Sequence, residues 1–84
     1  MNNKNRKTLQ NIFENPVKKN IQWSDVEKLV FALEGTINQG NGSRVRIVVG
    51  GVSLNMHTPH PQKELKPYQV RKLRDLFIEG GVKS

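Results

Sequence analysis

Five polar side chains stand at alternate or adjacent positions in one short stretch of this chain: Ser43, Arg44, Arg46, Asn55 and His57. Arginine presents a planar fork of N–H donors that matches the oxygens of a phosphate. Histidine is the side chain that binds and releases a proton near neutral pH. Serine and asparagine add neutral hydrogen-bonding groups. Arg44 and Arg46 with His57 therefore form a set that could hold a phosphate and move a proton beside it. The same set could also be the solvated face of an ordinary sheet.

The elements that must position these groups are legible in the alternation. Arg44 to Val49 and Val52 to His57 read as two strands joined by Gly50-Gly51. A Gly-Gly link between alternating runs predicts a two-residue primed turn, because both central residues need positive φ. With that turn Val49 faces Val52, Arg46 faces Asn55 and Arg44 faces His57. Val45, Ile47, Val49, Val52, Leu54 and Met56 then share the core face. Arg44, Arg46, Ser53, Asn55 and His57 share the other, with Val48 as an apolar exception. A slip by one residue would exchange the two faces, so the pattern specifies the register.

Around the hairpin the spacing predicts helices. Thr8 to Glu14 reads as a short one stopped by Asn15-Pro16, because a residue before proline avoids the helical region. The Asn/Lys-rich start reads as frayed, and Lys18 to Gln22 as a linker. Ser24 and Glu27 have capping-box spacing, and Val26, Leu29, Val30 and Leu33 follow on one helical face. Gly35 is expected just past the end of that helix, and Trp23 at the edge of the core. Thr36 to Gln39 reads as a short strand, and Gly40 to Ser43 as a plain turn. Pro67 fits the first position of a last helix. There Val70, Leu73, Leu76 and Phe77 face inward, Arg71, Lys72 and Arg74 face outward, and Gly80-Gly81 ends it. The expected fold is α+β, a two-layer sandwich in the order α-β-β-β-α after an extra N-terminal helical segment. Helix–three strands–helix is also the order of double-stranded-RNA-binding domains.

Composition narrows the chemistry. At 84 residues the chain is one small domain. It has no cysteine, which excludes disulfides and thiolate zinc sites, and its two histidines do not make a His-rich metal centre. No metal and no cofactor are expected. Lys and Arg number 14 against 7 Asp and Glu, a net charge of +7. In a small domain that balance points to a polyanion, first of all nucleic acid. The start of the chain carries charge and no apolar stretch, so a cytoplasmic protein with no membrane partner is the expectation.

One further pattern spans residues from Ser24 to Val82. Gly42-Ser43 precedes the hairpin. His60-Pro61, Lys63-Glu64-Leu65-Lys66 and a helix with Arg71-Lys72-Leu73 follow it. This arrangement resembles the HicA family, small toxins of bacterial toxin–antitoxin pairs. The resemblance implies a double-stranded-RNA-binding-domain-like fold in residues 23–84, with residues 1–22 as an N-terminal extension. It implies a metal-independent endoribonuclease that cuts mRNA and so blocks translation, and a HicB-like antitoxin that covers the active face. Members of that family carry a catalytic histidine just after the Gly-Ser pair, where this chain has Arg44 and Val45. His60 matches the family's His-Pro step, a loop-shaping position. His57 lies across the hairpin from Arg44 and is the candidate catalytic residue, with Ser43, Arg44, Arg46, Asn55 and Lys63 as RNA-binding residues. Two other readings stand beside this one. The domain is a catalytically silenced RNA- or antitoxin-binding module, or a small double-stranded-nucleic-acid-binding protein unrelated to toxins.

Overall fold

A computed structural model describes residues 1–60 and 62–83. The elements run α1 (Asn3–Ile12), α2 (Trp23–Ala32), β1 (Thr36–Gln39), β2 (Arg44–Val49), β3 (Val52–His57) and α3 (Pro67–Glu79). The strands form one antiparallel sheet in the order β1-β2-β3. The helices supply Ile12, Leu29, Val30, Leu73 and Phe77 to one buried cluster that also contains Val45, Ile47, Val49 and Met56 of the sheet. The protein is thus an α+β fold with helices on one face of a three-stranded sheet. Burying such a side chain is worth about 1.5–3 kcal/mol, so the apolar alternation of β2 is what holds that face inward.

The hairpin takes the expected register. Val49 pairs with Val52, Arg46 with Asn55 and Arg44 with His57. Gly50 and Gly51 have φ of 58° and 80°, the left-handed values a type I′ turn requires. Gly50 has a second constraint. A Cβ there would run into the carbonyl of Gly80, at the end of α3.

The helix boundaries differ from the sequence expectation in instructive ways. The first helix starts at Asn3, well before Thr8, and its start is ordered by a cap: Asn5 N–H donates to Asn2 Oδ1 at 2.7 Å. Asn5 and Thr8 are buried, and Leu9 and Ile12 enter the common core. Ser24 does not cap α2. The helix begins two residues earlier than a Ser24 cap would set it, with Gln22 extended at the cap position and Trp23 N–H donating to the carbonyl of Lys63 at 3.0 Å. Gln22 also bridges Glu64, and Leu65 N–H donates to Ile21 at 2.8 Å. The expected linker is therefore paired with the segment leading into α3. At the far end of α2, Glu34, one residue before Gly35, takes the left-handed conformation, with φ 62°. Gly35 is instead needed for space, since a Cβ there would lie 2.5 Å from the carbonyl oxygen of Val48.

The last helix begins at Pro67 and ends at Gly80-Gly81 as its sequence predicts. Arg74 departs from the outward face expected of it. Its Nε donates to the carbonyl of Ile12 at 2.9 Å, and a terminal nitrogen donates to that of Glu14 at 2.7 Å. A cation thus closes the C-terminal end of α1, where unpaired carbonyls and the helix dipole favour positive charge.

Candidate functional site

The polar face of the hairpin is open. Arg44, Arg46, Ser53, Asn55 and His57 are exposed, while their strand neighbours Val45, Ile47, Val49 and Met56 are buried. Period-two alternation produces this split directly. The candidate residues of the hairpin divide between two shallow clefts, and Lys63 lines neither. Arg44, Arg46 and Asn55 line the first together with Asn38, Gln39 and Asn41, a cleft of about 360 Å³ along β1 and β2. Ser43 and His57 line the second, about 320 Å³, at the junction of β3 with the start of α3.

His57 has a defined partner. Its Nδ1 lies 3.1 Å from Ser43 Oγ. A hydroxyl can donate to a bare nitrogen or accept from an N–H, so this contact suits either protonation state of the ring. It engages Nδ1, and Nε2 is then the nitrogen available for a substrate. Ser43 is itself fixed by the chain, since its carbonyl accepts from Thr58 N–H at 2.8 Å and from the Thr58 hydroxyl at 3.3 Å. These bonds continue the β2–β3 ladder past its last pair, Arg44 with His57.

The backbone of His57 is held from the other side. Gln69, almost wholly buried, donates from Nε2 to the His57 carbonyl at 2.9 Å and accepts from Lys66 N–H through Oε1 at 3.0 Å. One amide thereby joins the end of β3 to the first turn of α3. Its position three residues into the helix is that of the Gln in a capping box, here made with the backbone of Lys66 because a lysine side chain accepts no hydrogen bond. The Pro67 start places Gln69 at that position, so its local role was readable. Its partner on β3 was not.

Lys66, Tyr68 and Glu64 also line the second cleft, as does His60. The lysine brings a positive charge to the cleft that His57 lines, and Glu64 brings a negative one. Glu64 and Lys66 belong to the Lys63-Glu64-Leu65-Lys66 motif, but neither they nor Tyr68 are among the candidate site residues read from the sequence. Lys63 is exposed, and it contributes its carbonyl to the start of α2. His60 is exposed as well, and Pro61 lies outside the described residues. Among the described residues no three His, Asp or Glu side chains gather closely enough to hold a metal ion, and no helix is long and apolar enough to cross a membrane.

The arrangement has the parts of a site for a phosphodiester. Two exposed guanidinium groups stand on the sheet, and an imidazole tethered through one nitrogen stands at its end. Comparison with protein-family models, with curated protein sequences and with solved structures finds no match.

Proposed function

We propose that the protein is a HicA-like ribonuclease toxin of the cytoplasm, a metal-independent endoribonuclease that cuts mRNA and is silenced by a HicB-like antitoxin. The observation that carries this reading is the Ser43–His57 contact of 3.1 Å at the end of the ladder where Arg44 pairs with His57. An imidazole tethered through Nδ1 has Nε2 free to take the proton of a ribose 2′-hydroxyl. The 2′-oxygen then attacks the adjacent phosphorus, the bond to the 5′-oxygen breaks, and the departing oxygen takes a proton from water while His57 returns its own to solvent, leaving a cyclic phosphate and a 5′-hydroxyl. Arg44 and Arg46 supply the fixed positive charge that such a transition state needs. His57 acts from the strand opposite the position at which the family carries its histidine. The order α2-β1-β2-β3-α3 supports a fold like that of double-stranded-RNA-binding domains, and the net charge of +7 supports a polyanionic substrate. The antitoxin covers the Arg44/His57 face, where complementary charge speeds encounter.

The test is direct. Induced expression should arrest growth, and co-expression of the adjacent antitoxin gene should relieve it. Purified protein should cut RNA without added metal, and His57→Ala should lower the rate by on the order of 10²–10⁴-fold while leaving the fold intact. A folded His57→Ala protein that cuts at the parent rate would remove His57 from the mechanism. A second reading has one feature in its favour, the Arg44-Val45 pair that stands after Gly42-Ser43 in place of a histidine. A parent protein that binds RNA or antitoxin and never cuts would be the silenced binding module.

A further inference from the structure

The second cleft contains a group that neither phosphate binding nor proton transfer uses. Tyr68 is half exposed, with 51% of its surface open, and it lines the same cleft as His57, Ser43 and Thr58. Lys72, one turn further along α3, places its ammonium 5.8 Å from the centre of the tyrosine ring. An aromatic ring with a cation on it is a favourable pair. It is also the combination on which proteins stack the bases of single-stranded nucleic acid, the ring meeting the base and the cation meeting the backbone. Isolated exposed aromatics are common and carry no message by themselves. This one is tied to the candidate reaction centre.

The tie is Gln69. Pro67 fixes where α3 begins, and Tyr68 is its second residue. Gln69, the third, is buried and reaches the His57 carbonyl at 2.9 Å. The first turn of α3 cannot swing without breaking that bond. The backbone carrying the tyrosine and the backbone carrying the imidazole are therefore held at a set separation, with Lys66 lining the cleft between them.

We infer that Tyr68 is a stacking platform for an unpaired nucleobase next to the phosphate handled at His57, so that the substrate is single-stranded or looped RNA and not an uninterrupted duplex. This rests on the reading of the protein as one that acts on RNA. In a duplex the bases are already stacked on each other, and offering Tyr68 as a partner would require one to leave the stack. In an unpaired strand the ring is a net gain. Stacking is tolerant of base identity, so Tyr68 selects for strandedness more than for sequence.

The experiment uses the whole chain with His57→Ala added to prevent cleavage, and a short single-stranded oligoribonucleotide carrying 2-aminopurine, whose fluorescence falls when it stacks. The expected result is quenching on binding. Tyr68→Ala should remove the quenching and weaken binding by on the order of 10- to 100-fold. It should leave the salt slope unchanged, because no phosphate contact is lost. Tyr68→Phe should restore both quenching and affinity, which a purely structural role of the hydroxyl would not allow. A perfect RNA duplex should bind the two proteins equally. Equal single-strand affinity for Tyr68→Ala and its parent, or binding without quenching at every label position, would overturn the inference. Quenching in a protein whose His57 form never cuts RNA would support the platform while sinking the ribonuclease reading. Failure of the protein to bind any RNA would overturn both.

Discussion

The two ends of the β2–β3 hairpin are closed by different means. At the turn, backbone meets backbone. Gly50 approaches the Gly80 carbonyl with no room for a side chain, and a Cβ on Gly80 would lie 2.6 Å from the carbonyl oxygen of Val49. At the open end, the chain is closed by polar side chains: Ser43 to His57, Thr58 to Ser43 and Gln69 to His57. The first closure admits few residue types. The second is made of groups that water could replace, and it leaves Ser43, His57 and Tyr68 on a common cleft. Steric closure fixes the register, and polar closure leaves chemistry accessible.

The largest expected effect that bears on this contrast is at the turn. Gly50→Ala should cost about 2–4 kcal/mol, from the left-handed backbone and the clash with Gly80 together. For a domain of this size that lowers the melting temperature by on the order of 10–25 °C. Gly51→Ala is the matched control. It has φ of 80° and open space around its Cβ position, so it should lose only about 1–2 kcal/mol. Equal thermal losses at the two glycines would show that the approach to Gly80 adds nothing, and the contrast would fall.

A middle effect is expected at Gln69. Gln69→Ala leaves the His57 carbonyl and the Lys66 N–H without their partner and should cost about 1–3 kcal/mol. Amide exchange should rise at Lys66 while remaining slow at Val49 and Val52. Exchange rising equally at both ends would mean that the hairpin opens as a unit. The smallest stability effect is expected on the sheet face. Arg44→Ala with Arg46→Ala should change stability by no more than about 0.5 kcal/mol for each exposed site. The pair should nevertheless flatten the salt dependence of single-stranded RNA binding by about 1.4 in log–log slope. An unchanged slope would take the arginines out of the phosphate site.

The hairpin was legible because two independent signals, the Gly-Gly turn and the alternation, demanded one register. The same reading placed Arg44 across from His57, and the backbone pairing agrees. What the sequence did not reveal were contacts made across long loops. Ser24 and Glu27 had the spacing of a cap, yet the carbonyl of Lys63 takes the Trp23 N–H and the helix starts there. Arg74 looked like one more surface cation, and its acceptors lie at Ile12 and Glu14, far back in the chain. The start of the chain looked frayed because it is polar. Its order comes from Asn2 at the cap and from packing on α2, where Lys4 also pairs with Asp25 at 3.6 Å. Within the candidate site, Arg44, Arg46 and His57 were found from residue type and alternation. Gln69 and Tyr68 were missed because their importance depends on α3 returning to the end of β3.

The lock between Gly50 and Gly80 also bears on how such a site could change over generations. With the register held at the far end of the hairpin, positions 44 and 57 face each other whatever side chains they carry. An imidazole lost from one strand and gained on its partner would return to the same neighbourhood without any rearrangement of the scaffold. The address of the chemistry would then belong to the pair of positions, and either strand could inherit it.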